Sequence, residues 1–77
     1  MSPFDRHTVR PATAADTDTL SRLARLGRRH PLGGRILVAE LDGVPVAAMS
    51  IDEQRLVVDP VRSSPFAVMA LRTSAAF

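Results

Sequence analysis

The sequence predicts a small α/β domain of the α+β kind, in the order strand, helix, strand, strand, strand, helix. Three observations support this: a capped segment with helical apolar spacing, an Asp-Gly pair between two apolar runs, and strands that are apolar on both faces. We therefore expect a three-stranded antiparallel meander plus an N-terminal strand, with helices on both faces. The 77 residues suffice for one domain, residues 1–77, in which we interpret residues 1–6 as a disordered N-terminus.

The first strand and first helix are predicted at residues 7–11 and 14–28. Thr13 and Asp16 have the spacing of a capping box, which marks the start of a helix. Pro31 is expected to stop it, because the residue before a proline avoids the helical conformation. One apolar face of this helix is formed by Leu20, Leu23, Ala24 and Gly27.

The middle of the chain predicts a hairpin and a further strand. Asp42-Gly43 separates a strand at 35–41 from one at 44–51, and such a dipeptide favours a two-residue hairpin turn. A turn at 52–54 leads into a strand at 56–58. Alternation predicts Leu37, Ala39 and Leu41 on one face, Ile36 and Val38 on the other, and Met49 and Ile51 opposite Val46 and Ala48.

The C-terminal segment predicts a helix over 65–77. Ser64 is a favourable N-cap and Pro65 a favourable first helical residue. This helix is apolar almost all round, with Arg72 its only charge, so it is expected to be buried or to contact a partner. Its predicted faces are Phe66, Met69, Ala70 and Phe77 on one side, and Ala67, Val68, Leu71 and Ala75 on the rest.

Composition limits the function classes. There is no cysteine for a disulfide or thiolate site, and no apolar run long enough for a membrane span. We expect a cytoplasmic protein without a signal peptide. The ten basic residues are all arginine, and the net charge is +2. A helical stripe of Arg22, Arg25, Arg28 and Arg29 is interpreted as a solvated face, so nucleic-acid binding is the weakest alternative. His7 and His30 lie in different elements and predict no metal site.

Three stretches in the right order resemble the front half of GNAT acetyltransferases. Val9 to Asp16 with Leu20 and Leu23 resembles their opening strand and helix. The segment from Val38 to Ala47 resembles their strand 2–strand 3 hairpin, and Leu56 to Arg62 the end of their strand 4. The resemblance implies a truncated GNAT-like domain that ends where the acetyl-CoA phosphate loop is expected.

In that family the loop after strand 4 reads Gln/Arg-x-x-Gly-x-Gly/Ala, and its amides hold the CoA pyrophosphate. The resemblance implies cofactor contacts here from Val57, Val58, Arg62, Ser63, Ser64 and Ala67. Pro65 stands at the first glycine position and has no N–H to donate, so no cofactor is expected to bind tightly. The family's tyrosine general acid has no counterpart, because the chain contains no tyrosine. A base could come only from Glu40, Asp52, Glu53 or Asp59, and we assign no catalytic residue.

The expected function is a non-catalytic or degenerate acetyltransferase-like domain that acts by association. A homodimer or a protein partner would use the edge of strand 55–58 and helix 65–77, because an open apolar edge invites pairing. The alternative is an acyl-CoA-binding N-acetyltransferase that is complete only with a missing C-terminal half or a partner.

Overall fold

The computed structural model describes residues 7–62 and 65–75 and shows an α+β domain. Its elements are β1 (His7–Pro11), a 3₁₀ turn (Ala14–Asp16), α1 (Thr17–Leu26), β2 (Ile36–Leu41), β3 (Val44–Ser50), β4 (Arg55–Val58) and α2 (Pro65–Ala75). The strands form one antiparallel sheet in the order β1-β2-β3-β4. The predicted small α+β architecture, with an antiparallel sheet and two helices, is confirmed, and β1 pairs with β2 along its whole length. The predicted disorder at 1–6 lies outside the described residues.

The two helices cover opposite faces of the sheet, as the strand pattern predicts. Helix α2 packs on β1, β2 and β3, whereas α1 packs on β3 and β4. On the α2 side, Leu71 and Ala67 are fully buried against Ala39 and Ala47. On the α1 side the buried cluster comprises Leu23, Val38, Ala48 and Val57. The small alanine side chains let each helix lie close to the sheet. In the described ranges, neither helix is long and apolar enough to cross a bilayer.

The prediction of one helix over 14–28 is wrong at both ends. The capping box of Thr13 and Asp16 is present, but it begins a 3₁₀ turn, and the α-helix starts only at Thr17. The helix ends at Leu26 because Arg28 adopts a left-handed conformation, with φ of 55°. The amides of Arg28 and Arg29 then bond back to the carbonyls of residues 25 and 24, which is a Schellman motif. This motif, not Pro31, stops the helix.

A β-bulge changes which residues of β3 share a face of the sheet. Asp42 and Gly43 both have positive φ, as a two-residue hairpin turn requires. Ala39 pairs with Ala47 but the next residue of β2 pairs with Pro45, so Val46 is the extra residue. Val46 therefore joins Ala47 in the cluster beneath α2, and the prediction that it shares a face with Ala48 is wrong.

The predicted C-terminal helix is confirmed from Pro65 to Ala75, whereas its predicted cap Ser64 and its last residue Phe77 lie outside the described residues. Leu71 and Ala67 point into the core, and the side chain of Met69 is 51% exposed. Met69 lines a shallow depression of about 310 Å³ with Ala70, Thr73 and Ser74. The helix is thus only partly buried by the sheet.

Candidate functional site

The candidate site is the open edge of β4. Among the residues that the structure describes, the sheet order is β1-β2-β3-β4, and β4 has a neighbour on one side only. The amide of Asp59 donates to the carbonyl of Val46 at 2.8 Å. Bonded pairs alternate along an antiparallel ladder, so Val57 also bonds toward β3, and the backbone groups of Leu56 and Val58 point away from it. Within the described ranges, no backbone or side-chain bond engages these outward groups.

The opposite edge, β1, is less suited to strand pairing. The amide of Ala12 donates to the carbonyl of Ile36 at 2.8 Å. By the same alternation, the backbone groups of Val9 and Pro11 point away from β2. Pro11 has no N–H to offer, and proline on an edge blocks the addition of a strand. Strand β4 contains no proline among its residues, so it is the better template of the two.

A groove of about 480 Å³ runs along the β4 edge; we call it the β4 groove. It is lined by β4 itself together with Gly27, Arg29, Gln54 and Arg72. Leu56 and Val58 are half-buried and face the α2 side, whereas Val57 is buried on the α1 side. The groove therefore offers apolar side chains and free backbone groups along one extended line, which is what an added strand requires.

Three arginines line the β4 groove, and two of them have no carboxylate partner among the described residues. Arg55 donates to the His30 carbonyl at 2.7 Å and to Glu53 Oε1 at 3.0 Å, so its guanidinium already has partners. Arg29 comes from the loop that ends α1, and Arg72 comes from α2; both are exposed. In the described part of the chain, neither forms an ion pair with a carboxylate.

Four of the six residues that the resemblance suggests for CoA are described, and they differ in exposure. Val57 is 2% exposed and Ala67 is fully buried, while Val58 and Arg62 lie nearer the surface. Ser63 and Ser64 are outside the described residues. The side chains of Val57 and Ala67 pack on opposite sides of the sheet, in the α1 and α2 clusters respectively.

The turn after β4 already holds an anionic group. Asp59 is buried, and its Oδ1 accepts from the amides of Val61 at 2.9 Å and Arg62 at 3.2 Å. Exposed loop amides of this kind can hold a phosphate. Here the carboxylate of Asp59 occupies two of them, and Pro65 at the start of α2 has no amide hydrogen.

The acidic residues that could act as a base have structural partners. Glu40 accepts from Arg10 Nε at 3.2 Å, and Asp52 accepts from Arg35 Nη2 at 2.8 Å. Asp59 and Glu53 are engaged as described above. These hydrogen bonds give each of the four carboxylates a contact within the fold.

Arg10 is the centre of a polar cluster that the sequence does not reveal. Its Nη1 and Nη2 each donate to the Asp16 carboxylate at 2.8 Å, and Nε donates to Glu40. The Arg10 guanidinium and the Thr13 amide hold the pKa of Asp16 well below its usual range. The cluster ties β1 to β2 and to the start of the helical segment, so its role is structural.

The Asp52 carboxylate joins the two ends of the β2–β3 hairpin. Hydrogen bonds from the Arg35 side chain and amide lower the pKa of Asp52.

Over residues 7–62 and 65–75, no three His, Asp or Glu side chains converge where a metal ion could be held. Comparison with models of protein families, with curated proteins and with solved structures gives no match.

Proposed function

We propose that this chain is a non-catalytic binding module that captures an extended segment of a partner protein by strand addition at β4. The observation that supports this most directly is the outward direction of the backbone groups of Leu56 and Val58. A partner strand would bond to these groups and continue the sheet, while its side chains would enter the β4 groove.

Strand β4 is short and begins with a charged residue, but it has neither the proline nor the bulge that protect many edge strands. Its residues, Arg55 to Val58, include no proline and no lysine, and its register with β3 contains no bulge. The side chains of Leu56 and Val58 are only half-buried beside the groove. An added strand would therefore remove further apolar surface from water. Both the backbone and the side chains of β4 therefore favour a fifth strand.

A second copy is a poorer occupant of this edge than a different protein. Stable interfaces bury about 1,200–2,000 Å² in total, so an edge of four residues suits a transient contact better than a permanent dimer. Two-fold pairing would also bring Arg29 and Arg72 of one copy toward the same arginines of the other, and like charges repel. An extended segment from another chain avoids this repulsion.

The relationship to GNAT acetyltransferases remains part of this proposal. It is supported by the order β-α-β-β-β-α and by helices on both faces of the sheet. An acetyl-CoA site is disfavoured by Pro65 and by the Asp59 carboxylate on the amides of the turn. We therefore propose a degenerate, GNAT-like domain in which association has replaced acyl transfer.

A peptide screen against the 77-residue chain tests strand addition. Peptides selected from a random display library should perturb the amide NMR signals of Leu56 and Val58 in the wild-type chain. Leu56→Pro should abolish binding, because it removes an outward amide without removing a bond to β3. Leu56→Val keeps the amide and is the matched control, which should bind within about three-fold of wild type.

Two further measurements complete the test. Calorimetric titration with acetyl-CoA should give no saturable heat; micromolar binding would instead support the acetyltransferase alternative. Sedimentation should show a monomer over a wide concentration range, whereas a dimer with altered Leu56 and Val58 signals would make a second copy the occupant. Peptide binding that Leu56→Pro leaves unchanged would refute strand addition.

A further inference from the structure

The β4 groove has a charge pattern that specifies its partner. Arg29 lies where α1 ends and Arg72 lies on α2, and these helices pack on opposite faces of the sheet. A strand added to β4 would therefore pass between two exposed guanidinium groups, one near each of its faces. From this geometry we infer that the partner segment is an extended acidic peptide with carboxylates on both faces of the strand.

Arg29 and Arg72 are available to a partner because no carboxylate in the described part of the chain pairs with them. The third arginine of the groove, Arg55, donates to the loop carbonyls of His30 and Pro31 and to Glu53. Arg29 and Arg72 have no carboxylate within ion-pair distance in the described residues. A partner with carboxylates would supply the missing counter-charges, and guanidinium groups bind carboxylates with directional, charge-assisted hydrogen bonds.

Strand geometry turns this pattern into a spacing rule. Successive side chains of a strand point to opposite faces. Two acidic residues therefore reach both arginines only when their positions differ by an odd number, as i and i+1 or i and i+3 do. An even separation puts both carboxylates on one face and leaves one arginine unpaired. This inference rests on strand addition at β4, which it refines by naming the chemistry of the partner.

Synthetic peptides of valine, threonine and two glutamates test the rule. One peptide has the glutamates at an odd separation, a second has the same composition with an even separation, and a third has lysine in place of glutamate. Binding to the 77-residue chain is followed by the amide signals of Leu56 and Val58. The first peptide should bind about two- to five-fold more tightly than the second, which is the range for one exposed ion pair. The lysine peptide should bind weakest.

Substitutions on the protein test the same charges. Arg29→Gln and Arg72→Gln should each weaken binding of the odd-separation peptide by about two- to five-fold, and the double variant by about ten-fold. Replacement of both by lysine should restore most of the binding, because the charge is kept. The matched control is Arg22→Gln with Arg25→Gln, which removes the same charge from the exposed face of α1, away from the groove. It should change affinity by less than about two-fold.

The outcomes separate this inference from the proposed function. If all peptides perturb Leu56 and Val58 equally, or if the groove variants behave like the control, the acidic partner is refuted and strand addition stands. If no peptide perturbs these amides, both are refuted. Added salt should weaken the odd-separation peptide more than the even one; equal salt dependence would contradict the two-sided charge contact.

Discussion

Replacing Leu71 with alanine tests how α2 lies on the sheet, which decides how much of the β4 side stays open. Leu71 is fully buried, and its neighbours include Ala39, Ala47 and Ala67. Alanine side chains cannot rotate into a cavity, so little relaxation is expected. Buried leucine-to-alanine changes cost about 2.7–5 kcal/mol, and we expect about 4 kcal/mol here.

This loss is large compared with the stability available. At about 0.05–0.15 kcal/mol per residue, a chain of 77 residues has a free energy of unfolding of about 4–12 kcal/mol. Leu71→Ala should therefore lower Tm by about 16–32 °C, which brings a chain at the low end of this stability range close to unfolding at room temperature. Urea unfolding followed by far-ultraviolet circular dichroism is the assay, because the chain has no tryptophan or tyrosine to report by fluorescence.

Met69→Ala on the same helix is the matched control. Its side chain is 51% exposed, so its loss should change the free energy of unfolding by about 0.5 kcal/mol or less. If Leu71→Ala costs less than about 1 kcal/mol while Met69→Ala costs more, α2 presents a different face to the sheet. The description of the open β4 side would then be wrong.

Three further predictions concern the rest of the fold. Asp16 has a lowered pKa, so the unfolded chain binds its proton more tightly and stability falls as pH drops below about 4. Asp16→Asn should flatten this acid dependence in thermal melts, and Asp18→Asn should leave it unchanged. Ser50→Ala should cost about 1–3 kcal/mol in urea unfolding, because the buried Ser50 hydroxyl donates to the Gly33 carbonyl and accepts from the Glu53 amide, and both hydrogen bonds are lost; a neutral result would contradict the role of the hydroxyl. Gly43→Ala should lower the free energy of unfolding by about 1 kcal/mol, because alanine is strained at the positive φ of this position. Gly34→Ala should lower it further, because its new methyl group also meets the carboxylate of Asp52. Equal losses would refute that contact.

The order of elements could be predicted from local sequence signals. Asp42-Gly43 marked the hairpin, and the capping residues Thr13 and Asp16 marked the start of the helical segment. Local signals failed where geometry depends on a single backbone conformation. The left-handed Arg28 ends α1 before Pro31, and no residue preference predicts an arginine there. The bulge at Val46 is equally hidden, since it changes the register without changing the apolar pattern.

The site was predictable in part. That the strand at 55–58 lies on an edge was an expectation from the family resemblance, and the sheet of the described residues confirms it. That Arg29 and Arg72 both line the β4 groove was not predictable. The two residues are 43 positions apart, and only the packing of both helices brings them to one groove. The Asp59 contacts that fill the turn after β4 also depend on folded geometry.

Amide hydrogen exchange of the free chain tests the open edge most directly. We expect the amides of Leu56 and Val58 to exchange fast, because nothing in the described chain bonds to them, whereas those of Val57 and Asp59 are protected by β3. Strong protection of all four amides in dilute solution would show that the edge is already covered. Strand addition at β4 would then have no template.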